Sequence, residues 1–380
     1  MKYATRVQQI EPSATVAVGN LAAQLKSDGA DIIDLSVGEP DFGTPQVVIE
    51  AGQEALGEGK TGYTQSNGIL QLRRAIAEDL GERGMPYTAD DVIVTPGAKQ
   101  ALFETVQALV ESGDEVILPT PAWVSYRPMI TMAGGDVTTV DTTPHEFQLE
   151  PAVDELAEKI NDNTVLLVLN SPVNPTGAVY SQPALERIRD LAVDHDLFVL
   201  SDEIYRGITY GDDPPSPGAI DGMLDRTITV DGFSKTYAMT GWRLGYMAAP
   251  SGLISQAGKI HTHSVTCASN FAQHAAVEAL ENGDDAVAEM VETFHERRDF
   301  LVEKLDSEGV SVAPPEGAFY LMVPVDEDDQ QWCEDALSEA HVATVPGSAF
   351  GAPGYARFAY TRDTDRLGEA VDRLVDGGFL

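Results

Sequence analysis

"TITVDGFSKTYAMTGWRLGYMAAP", residues 227–250, sets the reading of the whole chain. Its first four residues are β-branched, the pattern of a buried strand. Lys235 stands just past that strand, in a turn of small, hydroxyl and aromatic residues. Arg243 follows, and then a second apolar run, "LGYMAAP" (244–250). A cation at the end of a buried strand is costly unless something there needs it. Further short apolar runs lie upstream: "DVIVT" (91–95), "EVILPT" (115–120), "TVLLVLN" (164–170) and "LFVLSD" (197–202). Between them, "PGAKQALFETVQALVESG" (96–113) and "SQPALERIRDLAVDH" (181–195) carry helical patterns. Such alternation predicts an α/β fold, a mostly parallel sheet flanked by helices on both faces. Ligands of such sheets sit at the carboxyl ends of the strands.

The last hundred residues read differently. A long charged helix near 285–307 leads to "GAFYLMVPV" (317–325) and "ARFAYTRD" (356–363), strands of a smaller α+β unit. Residues 1–15 have little periodicity and read as an arm. At 380 residues and 43% hydrophobic, the chain can fill two domains. No apolar run of about 18 residues suggests a membrane span, and the first twenty residues show no secretory pattern. Its two cysteines, Cys267 and Cys333, are too far apart to read as a metal or redox pair. A reduced cytoplasm is the expected compartment.

Charge narrows the partners. Lys plus Arg is 24 and Asp plus Glu is 61, a formal −37, with only eight lysines. The acids are spread along the chain, as in "VDEDDQ" (325–330), and form no tail. Nucleic acid and anionic membranes are poor partners for such a surface, and a salty cytoplasm suits it.

The predicted strand ends are polar in an ordered way. Asn170 and Asn174 follow one strand, Asp202 and Tyr205 another, Ser234 and Lys235 a third. "TPGAKQA" (95–101) opens a helix with small residues, whose free N–H groups suit a phosphate. An amine, a carboxylate, a phenol, an amide and an anion cradle together match the needs of pyridoxal phosphate. Singly, each has a plainer reading. Asp202 can cap a helix, Trp123 can belong to the core, Tyr63 can be a loop aromatic, and Lys99 can be a solvated first-turn residue.

Order and spacing change that. "LSVGEPDFGTP" (35–45), "KTGYTQSNGILQLRRAIA" (60–77), "TPGAKQALF" (95–103), "PAWVSY" (121–126), "NSPVNPTGAVY" (170–180), "SDEIY" (201–205), "FSKTYAMTGWRLGY" (233–246), "PPEGAFY" (314–320), "VPGSAFG" (345–351) and "ARFAY" (356–360) run in one order along nearly the whole chain. In this the chain resembles the fold-type I pyridoxal-phosphate enzymes, specifically the class I aminotransferases of the aspartate type. The resemblance implies a seven-stranded-type sheet in a large cofactor-binding domain, 46–280. It implies an arm at 1–15 and a small domain made of 16–45 and 281–380.

It also implies roles. Lys235 would carry the cofactor as a Schiff base and shuttle the substrate proton. Asp202 would keep the pyridine nitrogen protonated. Asn174 and Tyr205 would bond the ring oxygen, and Trp123 would stack on the ring. Ala98 and Lys99 amides with Arg243 would hold the phosphate. Tyr63 would reach the phosphate bound to a neighbouring subunit, which implies a homodimer. Arg357 would grip the substrate α-carboxylate in a bidentate fork, with Gly38 letting the backbone close over it. Lys99, helped by Ser13 and Thr15, would read a distal carboxylate, which favours aspartate or glutamate with a 2-oxo acid acceptor. Aromatic or prephenate-type substrates are the alternative; a lyase or a sensor domain on the same scaffold is more distant. One departure stands out: Gly232 occupies a position where relatives often carry a phosphate-binding serine or threonine. Ser234 or water would have to substitute.

Overall fold

The computed structural model describes residues 3–380. In chain order the strands are β1 (Ile33–Asp34), β2 (Val92–Thr95), β3 (Glu115–Thr120), β4 (Asp136–Asp141), β5 (Thr164–Asn170), β6 (Phe198–Asp202), β7 (Thr227–Gly232), β8 (Gly245–Ala248), β9 (Tyr320–Pro324), β10 (Val342–Ala343), β11 (Val345–Pro346) and β12 (Tyr355–Ala359). Seven of them form one sheet in the order β2-β8-β7-β6-β5-β3-β4. Only β8 runs against its neighbours; the other pairs are parallel. The central strands are buried along almost their whole length, because helices cover both faces. This is the sheet that the strand–helix alternation predicts. β4, with four hydroxyl or acidic residues among six, carried no apolar signal and was not anticipated.

The helix Ala98–Leu109 shows how the layers lock. Ala98, Ala101, Leu102, Thr105 and Val106 recur at helical spacing, and all are buried against the sheet. The helix stops where Val110 turns extended. At the far end of the chain, the helix Asp284–Ser307 leads to a three-stranded antiparallel sheet, β11-β12-β9. β1 pairs in parallel with β10, so the segment after the first long helix is stitched to the C-terminal region. Residues 3–15 are not wholly irregular: Thr5–Gln8 is a short helix, and Ala14 opens the helix Ala14–Ser27. No helix among the described residues is long and apolar enough to cross a membrane.

Candidate active site

Parallel pairing of β5, β6 and β7 brings their carboxyl ends, Asn170, Asp202 and Gly232, to one edge. Because β8 is reversed, Arg243 just before it arrives at the same edge. So does Thr95, the last residue of β2. Gly245 lies between Thr95 and Gly232 in the sheet. A Cβ on Gly245 would sit 2.2 Å from the Ala98 nitrogen, and one on Gly232 would sit 2.8 Å from the Gly245 Cα. The backbones therefore stack without side chains beneath the N-terminus of Ala98–Leu109. This gives a packing reason for glycine at 232, where the sequence pattern led one to look for a hydroxyl. Gly97, at φ +87°, passes so close to Arg243 that a Cβ would lie 2.6 Å from its Nη2. Helix amides and a guanidinium thus converge on one point, the arrangement an anion needs.

In front of this edge is a cleft of about 410 Å3. It brings together Thr15, Gly38, Ala98, Lys99, Trp123, Asn174, Asp202, Tyr205, Lys235, Arg243 and Arg357. Two residues singled out in the sequence, Ser13 and Tyr63, do not line it, and for Tyr63 the expected site is that of a neighbouring subunit. Ser13 is not in the lining; it is exposed, and its hydroxyl meets that of Thr15 at 2.9 Å. Tyr63 also stands outside the cleft, 89% exposed on the segment before the helix Leu70–Glu82.

Asp202 is buried at the cleft floor. Its Oδ2 accepts from the Tyr126 hydroxyl at 2.6 Å and its Oδ1 from the Ile204 amide at 3.2 Å. Burial pushes its carboxyl up to about 6, against the pull of those two bonds, and neighbouring Glu203 adds to the rise. Among the described residues no cation pairs with it directly. Lys235 has the opposite problem. Burial lowers its amine to about 8; Glu39 opposes this, while Arg357, Arg243 and Lys99 press it further down. Its Nζ donates to the Gly38 carbonyl at 2.5 Å. The amine can therefore exchange a proton near neutral pH.

Arg357 on β12 is buried, and loss of solvation lowers its pKa. Its Nη1 donates to Asn174 Oδ1 at 3.1 Å and its Nη2 to the Ser36 carbonyl at 2.7 Å, while buried Nε has no partner among the described residues. The bond from Arg357 fixes the Asn174 amide, so its NH2 end points at the Tyr205 hydroxyl, 3.4 Å away. That hydroxyl in turn meets Tyr320 at 2.8 Å. Gly38 is required here: a Cβ would lie 2.6 Å from the Tyr320 hydroxyl. Trp123 stands edge-on to Tyr126 at 5.3 Å, and the Lys99 ammonium lies over its ring at 4.7 Å.

Tyr126, Ser36 and Tyr320 are among the lining residues that escaped the sequence reading. Tyr126 opens the helix Tyr126–Ala133, three residues after Trp123, whose carbonyl accepts from its amide at 3.2 Å. Tyr320 reads as a core aromatic in "GAFYLMVPV", and Ser36 contributes only its carbonyl to Arg357. Neither leaves a signal in the sequence.

Known proteins bear on this site. Residues 30–374 match the family model described as "Aminotransferase class I and II". The aspartate aminotransferase of Thermotoga maritima is 41% identical over 98% of both chains. The aspartate/prephenate aminotransferase of Thermus thermophilus is 43% identical over 97% of both. The solved aspartate aminotransferase from Thermus thermophilus with maleate superposes with a TM-score of 0.95, at 41% identity and 99% coverage of each chain. Fold and cleft are thus those of a pyridoxal-phosphate-dependent transaminase. The chain belongs to the class I and II aminotransferase family.

Proposed function

We propose that this aminotransferase takes a dicarboxylic L-amino acid, aspartate or glutamate, and passes its amino group to a 2-oxo acid such as 2-oxoglutarate or oxaloacetate. One observation carries this reading. The cleft holds four side-chain cations without carboxylate partners among the described residues; with Lys235 and Arg243 given to the cofactor, two are left for substrate, the buried Arg357 and Lys99, whose ammonium lies over Trp123. Two separated cations suit two carboxylates. The names of relatives support it, and the Thermus structure carries maleate, itself a dicarboxylate. Prephenate also bears two carboxylates, and a relative at 43% identity is named for it, so it is the second reading.

The cleft fits pyridoxal phosphate on its own chemistry. Asp202 is a buried acid lacking a cation, which a protonated ring nitrogen supplies. The Ala98 and Lys99 amides, Arg243 and the Ser234 hydroxyl would hold the phosphate. Asn174 and Tyr205 would face the ring oxygen, and Trp123 would cover one ring face. When bound, the cofactor supplies an electron sink for the bonds at the substrate α-carbon. Lys235, with its amine lowered to about 8, is the attachment point and the group that takes and returns the α-proton. Arg357 orients the substrate through its α-carboxylate, and its unpartnered Nε adds a further donor.

Assembly follows the same reasoning. The exposed Tyr63 side chain has no hydrogen-bond partner among the described residues and would reach the phosphate of a second copy, giving a homodimer with shared sites. Residues 16–45 and 281–380 form one small domain in this reading, supported by the β1–β10 pairing. The acidic surface is an adaptation to a salty cytoplasm. A panel of amino donors, each followed by the spectrum of the bound cofactor in a single half-reaction, tests the substrate. Aspartate and glutamate should convert fastest; a preference for alanine or phenylalanine refutes it.

A further inference from the structure

The reaction leaves the buried pair His261–Glu104 unused. His261, on the helix Ser251–Ser264, and Glu104, on the helix Ala98–Leu109, are both fully buried and do not line the cleft. His261 Nδ1 lies 3.1 and 3.0 Å from the two Glu104 oxygens, and its Nε2 lies 3.0 Å from the Ser66 carbonyl oxygen. Glu104 Oε1 also accepts from Gln100 at 2.9 Å and from the Ser264 hydroxyl at 3.0 Å. A carbonyl oxygen only accepts, so Nε2 must carry a proton. Between Nδ1 and the carboxylate there must be a second proton, on one partner or the other. The pair is then neutral overall, and every polar atom facing it is satisfied.

What it joins is informative. Glu104 belongs to the helix whose first turn faces the cleft. Ser66 belongs to the segment 60–69, which carries Tyr63. The same segment is held by Gln273, which accepts from the Ile69 amide at 2.7 Å, and by Asn270, which donates to the Gly62 carbonyl at 3.1 Å. The Asn67 carbonyl accepts from Val94 on β2 at 3.0 Å. Side chains and sheet thus fix the backbone on both sides of Tyr63, while the phenol projects outward.

We propose that His261 is a positioning residue: by bridging Glu104 to Ser66 it sets where Tyr63 stands relative to the cleft helix, and so how Tyr63 meets the phosphate in a second copy. This rests on the reading of Tyr63 as a cross-subunit phosphate ligand. A double-mutant cycle on the holoenzyme tests both separately, with pyridoxal phosphate dissociation and thermal melting as readouts. Tyr63→Phe should raise the cofactor Kd about tenfold, the loss of one charge-assisted bond. His261→Leu should raise it comparably, with kcat at saturating cofactor close to the parent. The double variant should be no worse than Tyr63→Phe alone, because both changes remove the same contact.

Glu104→Gln is the conservative control. A glutamine there can donate to Nδ1 of a neutral imidazole while Nε2 still donates to Ser66, so its Kd should stay within about threefold of the parent. If His261→Leu does not fold, His261→Gln carries the same expectation, since an amide cannot span both partners. A Tyr63→Phe variant with unchanged Kd overturns the Tyr63 reading and this proposal with it. A normal Kd in His261→Leu, multiplicative losses in the double variant, or a Glu104→Gln loss as large as that of His261→Leu overturns the proposal alone.

Discussion

Replacing Lys99 with methionine should remove acidic-substrate preference while leaving the rest of the chemistry in place. Methionine keeps the length of the chain over Trp123 and favours an aromatic contact, so what is lost is the charge. In the free protein the Lys99 ammonium is pressed down, first by burial and then by Arg243, and no carboxylate relieves it. A carboxylate arriving with the substrate would supply that relief. A hydrogen bond between charged groups contributes about 1.5–3 kcal/mol, roughly a 10- to 150-fold change in kcat/KM. Lys99 is only partly sheltered and stays open to solvent at the cleft edge, so screening places the expected loss near the lower end, about tenfold. Half-reactions with aspartate, glutamate, alanine and phenylalanine, followed by the cofactor spectrum, measure it directly. Losses should fall on aspartate and glutamate and spare alanine and phenylalanine. Salt gives an internal check, since screening shortens from about 10 Å at 0.1 M to about 3 Å at 1 M. The parent's preference for aspartate over alanine should shrink across that range, and the variant's should stay flat. Equal losses for all four donors would refute the assignment and leave Lys99 as a phosphate or scaffold residue.

Asp202→Asn should still bind cofactor but lose kcat by orders of magnitude, because the amide cannot hold a ring nitrogen protonated; near-normal turnover in steady-state assays would reduce Asp202 to a helix cap. In cofactor-free protein, Asp202 is raised from 3.8 to about 6, so the native state keeps that proton longer, and stability should fall as pH rises through this window. Lys235 is lowered from 10.5 to about 8, so stability should climb again as pH rises between those values. Denaturant melts across pH check both arms: each shift is worth on the order of 3 kcal/mol. Burial also raises Asp231 to about 7 and adds to the acid arm, so Asp202→Asn should make that slope shallower and Lys235→Ala the alkaline one; an unchanged slope in either variant would contradict its assignment. The formal charge of −37 should make melting temperature and dimer fraction rise together from dilute buffer to molar KCl, measured by calorimetry and light scattering; a flat trend would mean that the charge serves solubility alone.

How much of this was legible beforehand depended on whether a residue's task is local. The buried central strands advertise themselves through β-branched and apolar runs, and the residues just past them are read by position, as with Lys235 and Asp202. Gly38 and Arg357, and the role of Asn174, came from the family resemblance, because their contacts cross from one part of the chain to another: Arg357 reaches the Ser36 carbonyl and the Asn174 amide. Tyr126 was missed for the same reason, since its partner Asp202 lies 76 residues away. Ser13 was named together with Thr15, because a hydroxyl two residues from a lining residue has no pattern to say which way it faces.

The buried ion pairs behind the site carry this furthest. Arg83 meets Glu203 and Asp231, next to Asp202 in sequence and to the glycine beneath the cradle. In the sequence Arg83 is a charge in "LGERGM", indistinguishable from a solvated one. Yet strand pleating requires some such partner. If Asp202 points into the cleft, Glu203 points to the other face, where burial without a cation would force a proton onto it. The polar order at the strand ends therefore demands a second polar order behind the sheet. Its existence follows from the alternation of side chains, but the residue that supplies the cation can be named only once the helix that brings Arg83 there has been placed.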